Sequence, residues 1–356
     1  MINPLYRILR TVGGMLAVLA LACLWRMLDS HGVFTSVAPG FSGTCHAVAS
    51  PSGPEDIVID RAKKIAFLSA MDRIAFAKGK PSAGDGIYSY NYAVPGAKPV
   101  KLASTPKDFH PHGIALTRSA DGKLALLAIN HLAAGGNAID IFAVEYDGGQ
   151  VRLTETGRIA SALLISPNAI AALDADHFYV GNDHTSTGVL GRWLDDNLVL
   201  PRANVLYFDG AKLKIAVKGL NFPNGAAFSP DGKYLYVPQG YGRALEIFER
   251  DLFSGQLKEV QRIAIASNLD NADVAPDGTV WIAGHPKAYA MAEFKKDPSK
   301  LAPSQVFRLA PGSDKPELVY ADLGEQISGS SVGAVEGKTL LIGAPFGKKI
   351  LSCTMP

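Results

Sequence analysis

Asp56, His112, Asn168 and Asn224 are spaced 56 residues apart three times in succession, from 56 to 112, 112 to 168 and 168 to 224. Glu55, Asp270 and Asn271 stand in the same situation, each immediately before a short apolar stretch. Glu55, Asn168, Asn224, Asp270 and Asn271 together offer carboxylate and amide oxygens and no thiolate. That donor set suits a hard cation, and calcium accepts six to eight oxygens in flexible geometry. Zinc calls for nitrogen or sulfur in a tetrahedron, and magnesium for a strict octahedron that keeps several waters. A histidine in phase with such a ring, His112, is a candidate general base, because imidazole titrates near neutral pH. A lone Asn or Asp beside a strand is ordinarily a turn residue; five in one phase read as a ligand set.

What positions them is a sequence repeat. Six segments share one pattern of apolar strand, tight polar turn and second apolar strand: IVIDRAKKIAFLSA from Ile57, IALTRSADGKLALLAIN from Ile114, IAALDADHFYVGN from Ile170, AAFSPDGKYLYVPQ from Ala226, ADVAPDGTVWIAG from Ala272 and VGAVEGKTLLIGA from Val332. Asp121-Gly122, Asp231-Gly232 and Asp277-Gly278 supply the positive φ expected of two-residue hairpin turns, and alternation such as Tyr234-Leu235-Tyr236-Val237 supplies the strand signal. A strand-built recurrence of about 50 residues predicts an all-β, six-bladed β-propeller with about four strands per blade. The innermost strands line a central channel, so equivalent positions at their starts form a ring at one mouth. Hairpins return Asn130-His131, Asp183-His184 and Gly284-His285 to the same mouth. Trp193–Leu200 and Pro286–Lys300 are less strand-like and read as insertions or short helices.

The charge balance, 35 Lys and Arg against 33 Asp and Glu, lacks the basic excess of a nucleic-acid binder. With 47% hydrophobic and 19% charged residues the chain supports a large core. Residues Thr11 to Trp25 carry no charge and follow Arg7 and Arg10, which predicts an uncleaved signal-anchor in residues 1–30 with the body outside the cytoplasm. Residues 31–44 read as a linker and 45–356 as the propeller domain. In an oxidising compartment Cys45 and Cys353 could bridge the ends of the fold; two free buried thiols are the alternative, and Cys23 lies in the anchor.

These segments resemble the paraoxonase and arylesterase family of calcium-dependent lactonases. The carriers are PEDIVI at Glu55-Asp56, FHPHGI at His112, LLAINH at His131, VGNDH at Asp183-His184, FPNGAAFSPDGKYLY at Asn224, LDNADV at Asp270-Asn271, GHP at His285 and LLIGAPF near the end. The resemblance spans roughly Cys45 to Cys353. It implies a six-bladed propeller with two calcium ions in the channel and a single Cys45–Cys353 disulfide. The catalytic calcium maps onto Glu55, Asn168, Asn224, Asp270 and Asn271. The second, structural ion maps onto Asp56, the backbone carbonyl of Ile114 and an acid that here is Ala169, so a methyl group stands where a charged ligand is expected.

A calcium ion at a channel mouth can polarise the carbonyl of a lactone or aryl ester. His112 is then the candidate base with His131 behind it, the dyad the resemblance also implies; Asp270 as base or nucleophile is the competing assignment. His184 and His285 are expected to shape the substrate pocket. The expected partners are a small-molecule lactone or ester and a membrane, with no nucleic acid. A sugar lactonase of gluconolactonase type and a non-catalytic calcium-binding propeller are the alternatives. Gly329-Ser330-Ser331-Val332-Gly333 matches Gly-x-Ser-x-Gly, but no histidine follows His285 to complete a serine-hydrolase triad.

Overall fold

Strand–turn–strand units dictate the architecture. In the computed structural model, which describes residues 4–103, 105–119 and 121–356, they assemble into six four-stranded antiparallel sheets around a channel. Blade I holds Pro54–Asp60, Ile65–Ala70, Gly86–Asn91 and Val100–Lys101, and blade II Pro111–Arg118, Leu124–His131, Asn137–Asp147 and Gln150–Ala160. Blade III holds Pro167–Ala172, His177–Asn182, Ala203–Asp209 and Leu213–Leu220, and blade IV Ala227–Phe228, Tyr234–Gln239, Ala244–Arg250 and Leu257–Ala264. Blade V holds Asn268–Val274, Val280–His285, Ser304–Leu309 and Glu317–Asp322. Blade VI takes Val332–Glu336, Thr339–Gly343 and Lys349–Thr354 from the end of the chain and Thr44–Ala49 from its beginning. Cys45 and Cys353 face each other in that last pairing and form a disulfide.

Apolar layers between blades hold the ring together. Between blades I and II, Phe67, Ile87, Leu126 and Phe142 are fully buried. The Asp-Gly turns differ from the expected two-residue type. In blade V the Gly278 amide donates to Ala275 and the Ala275 amide to Thr279, and only Gly278, at φ 86°, is left-handed. This is a type I turn followed by a glycine bulge, which also matches the right-handed strand twist. The Asp side chain stays right-handed and caps the turn instead, Asp277 accepting from the Thr279 amide at 2.9 Å.

Four helices occur among the described residues: α1 (Pro4–Ser30) precedes the blades, and α2 (Arg73–Ala77), α3 (Val189–Leu198) and α4 (Ala288–Lys296) are inserted between blade strands. Helix α1 is long and apolar enough over Ile8–Ser30 to cross a membrane, and its side chains there are largely exposed. Its C-terminal end docks on the propeller: Arg26 donates to the Val199 carbonyl at 3.0 Å, and Asn268 donates to the Ser30 carbonyl at 3.0 Å.

The inner strands are irregular where they matter. Ladder register shifts between Pro54 and Asp56, Pro111 and Ile114, Pro167 and Ala169, and Leu269 and Ala272. Each β-bulge contains a candidate site residue, freed from the ladder and re-aimed into the channel. Two following glycines are required by crowding between blades. A Cβ on Gly113 would strike the Asn168 carbonyl, and one on Gly225 the Asp270 carbonyl.

The disulfide fastens the strand that closes the ring, so Cys353→Ser should lower the melting temperature by roughly 5 °C or more under non-reducing conditions. An unchanged melt would mean that the hydrogen-bonded pairing of Thr44–Ala49 with Lys349–Thr354 suffices alone.

Candidate metal centre and active site

Glu55, Asn168, Asn224, Asp270 and Asn271, from blades I, III, IV and V, are all buried at one channel mouth. Their amide nitrogens are tied to protein oxygens. Asn168 donates to Asp183 at 3.1 Å, Asn224 to the Leu269 carbonyl at 3.1 Å, and Asn271 to Glu55 at 2.7 Å. With the nitrogens held, the amide oxygens remain for a ligand. Glu55 Oε2, Asn168 Oδ1 and Asp270 Oδ1 are buried with no hydrogen-bond partner among the described residues. Unpaired buried oxygens are costly, and oxygens left this way by three blades fit a cation with oxygen ligands. No three His, Cys, Asp or Glu side chains converge as a metal-binding group among the described residues; the donors here are chiefly amides, which calcium accepts.

The electrostatics point the same way. Burial, and then the charges of Glu55 and Asp56, push the Asp270 carboxyl well above the usual carboxylate range. Burial raises Glu55 as well, against the opposing pull of Arg73 and the Asn271 hydrogen bond. Buried carboxylates whose proton affinity is raised in this way ionise more readily beside a cation.

His112 and His131 form a directional pair. Asn137 Oδ1 is an acceptor 2.6 Å from His131 Nδ1, so that nitrogen carries the proton. Burial chiefly, with the Arg73 charge adding to it, lowers both histidines below the ordinary imidazole value and keeps them neutral. His131 Nε2 is then a lone pair, and it accepts from His112 Nδ1 at 2.8 Å. The remaining atom, His112 Nε2, is left unprotonated, 3.8 Å from Glu55 Oε2. A chain of hydrogen bonds thus assigns the tautomer that a general base requires.

His112 and four members of the oxygen set, Glu55, Asn168, Asn224 and Asp270, line one cavity of about 390 Å³, which His285 also lines, whereas Asn271 lines the adjoining cavity with Asp56 and Ile114. Burial lowers His285 to about 4, so it is neutral. His184 is not among the lining residues. It lies edge-on against Phe222 and is fixed by Asp183 and Asp196, both at 2.8 Å, so it supports Asp183, the anchor of Asn168. Sequence reasoning missed Arg73, Phe222, Tyr241, Lys295 and Phe346 in the cavity wall, all of them outside the repeat phase. Phe222 adopts a left-handed φ of 62°, a strained conformation for a bulky residue. Asn137 was within reach, because the Gly135-Gly136 turn pairs it with His131 in register.

Below the ring, each Asp56 oxygen already accepts one backbone amide, from Ile57 at 2.9 Å and from Ile114 at 2.8 Å. Burial, reinforced by the Glu55 charge, pushes its carboxyl up to about 8. Ala169 adds only a methyl group. This lower site fits a second ion poorly.

A family model described as arylesterase matches residues 91–355. Serum paraoxonase/arylesterase 2 of Bos taurus is 30% identical over 317 residues, covering 86% of this chain and 87% of that protein. The Homo sapiens protein of the same name is 29% identical over equal coverage. Among solved structures, a luciferin-regenerating enzyme superposes with TM-score 0.55 at 12% identity, covering 88% of this chain and 95% of that one. A putative gluconolactonase superposes with TM-score 0.53 at 16% identity, covering 90% and 94%. These two likenesses are of fold alone.

His184 generates a stability prediction. Burial disfavours its charge, but the hydrogen bonds and charges of Asp183 and Asp196 outweigh burial and raise it from an ordinary 6.5 to about 9. A folded value above the unfolded one gives stability that is complete below about 6.5 and lost as pH climbs through about 9. The melting temperature should fall across that window, and His184→Gln should flatten the profile there. A wild-type profile already flat across it would show that the imidazole is neutral.

Proposed function

The chain belongs to the arylesterase family, and on that footing we propose that it is a calcium-dependent hydrolase of lactones and aryl esters in which His112 activates water. That it is a carboxylic ester hydrolase follows from the family; the metal and the dyad are the proposal. The observation that carries them is the meeting, in one cavity, of unpaired oxygens from three blades and the free Nε2 of His112.

Glu55, Asn168, Asn224, Asp270 and Asn271 would hold the ion. Calcium bound there supplies a Lewis acid for the carbonyl oxygen of the substrate. His112 Nε2 takes the proton of the attacking water, and the charge it gains is shared with His131 through the 2.8 Å contact. Asn137 holds the far end of the pair and keeps His131 in the required tautomer. His112 then returns the proton to the leaving alkoxide or phenoxide; in a lactone this group stays attached to the product. Asp270 is assigned to the donor ring rather than to base or nucleophile, because its orphaned oxygen shares that role with Glu55 and Asn168.

One calcium is assigned, not two, since Asp56 is spoken for by backbone amides and position 169 offers no oxygen side chain. Residues 1–30 are assigned as a membrane anchor, with the disulfide-closed propeller on the oxidising side.

Chelation should abolish hydrolysis and calcium should restore it; turnover indifferent to chelator would sink the metal assignment. Calorimetric titration of the stripped protein should saturate at one calcium per chain, and two tight sites would overturn the reading of Asp56. His112→Gln should lower kcat by about a hundredfold or more while calcium affinity holds. Loss of calcium affinity instead would move His112 from base to ligand.

A further inference from the structure

We infer that this site prefers substrates carrying an anionic group, a carboxylate above all, beside an apolar acyl portion, and that Arg73 is the residue that recognises it. The inference rests on the hydrolase reading above and narrows its substrate class. Arg73 opens α2, and Asp72, the cap of that helix, fixes where its side chain starts. One edge of the guanidinium is pinned, Nη1 donating to the Gly53 carbonyl at 3.3 Å. The other edge is not. Nη2 is buried, borders the cavity and has no hydrogen-bond partner among the described residues. Glu55 Oε2 is 3.5 Å away, within ion-pair reach but without a hydrogen bond. A guanidinium dedicated to a carboxylate normally makes the paired fork; Arg73 instead keeps a donor free.

The charge inventory agrees. Among the described residues the acids lining the cavity are Glu55 and Asp270, both assigned to the metal, whose two positive charges they would balance. The lining cations are Arg73 and Lys295. Lys295 has no carboxylate within ion-pair distance among the described residues, whereas the neighbouring Lys296 pairs with Glu293 at 2.8 Å. Its ammonium stands 5.8 Å from the centre of the Phe346 ring, another wall of the cavity. Counted over its lining residues the metal-loaded cavity would carry net positive charge, with Asp85 and Asp56 the further acids that act on Arg73 from behind the wall. Phe222, Tyr241 and Met291 make much of the remaining wall apolar. Positive charge beside an apolar wall complements an amphiphilic anion.

The test compares a neutral lactone bearing a carboxamide side arm with its carboxylate isostere, using full-length wild type, Arg73→Gln and Arg73→Lys. Arg73→Gln should cut the ratio of kcat/KM for carboxylate over carboxamide by about tenfold or more, and Arg73→Lys should keep part of it. In a second readout without turnover, a free aliphatic dicarboxylate should raise the melting temperature of calcium-loaded wild type more than that of Arg73→Gln. Calcium should bind Arg73→Gln at least as tightly as wild type, because a repelling charge has gone. A ratio unchanged in both variants overturns the inference. So does calcium loss in Arg73→Gln, which makes the guanidinium a structural prop, or a change confined to product inhibition, which makes the recognised anion the nascent product. Failure of wild type to hydrolyse the neutral lactone would instead count against the hydrolase reading itself.

Discussion

The mutual repulsion of buried carboxylates at one channel mouth is the constraint on which the rest of the structure depends. Glu55 raises the proton affinity of Asp56 and of Asp270, Asp56 raises that of Asp270 as well, and burial raises all three. The chain meets this in three ways. Asp56 takes two backbone amides, Glu55 has the nearby charge of Arg73 and a hydrogen bond from Asn271, and Asp270 keeps an oxygen with no protein partner. On the proposed function a divalent ion would complete the balance, which would account for neutral donors that are amides rather than further acids.

The propeller delivers those groups because its inner strands bulge at the same place in several blades. The bulge turns a ladder residue into a channel residue, and the next blade presses close behind it. Gly113 and Gly225 permit that approach, and Ser331 continues it, donating to the Glu55 carbonyl at 2.6 Å and accepting the Asn271 amide at 2.9 Å. Ring closure and site geometry are therefore coupled. Whatever loosens blade VI against blade I also moves Glu55.

The six blades and the ring were legible in the sequence because both follow from the phase of a repeat. The even spacing was partly fortuitous: blade I reaches it with α2 and a loop, blade II with two 11-residue strands and blade III with α3. Blade IV carries no helix, and its interval shortens to 46 residues, from 224 to 270. The wall residues were illegible for the complementary reason. Arg73 and Lys295 sit on helices inserted between strands, and Phe222 depends on a left-handed backbone that no local motif announces. The facing of each asparagine was hidden too, since Leu269, Asp183 and Glu55 set it from elsewhere in the fold.

Arg73 and the metal are not independent. Arg73 lies 3.5 Å from Glu55, the carboxylate proposed to hold the ion, so each would weaken the attraction of the other for it, while together they would make the mouth positive. The neutral state of His112 depends partly on the same charge, since Arg73 follows burial among the causes that keep its imidazole unprotonated. One guanidinium thus reaches the metal donors, the base and the cavity wall. An anion arriving beside Arg73 would offset the repulsion at Glu55 and ease protonation of His112 when the water is deprotonated. The proposed recognition and base catalysis would then be linked through a residue that belongs to neither the oxygen ring nor the histidine pair.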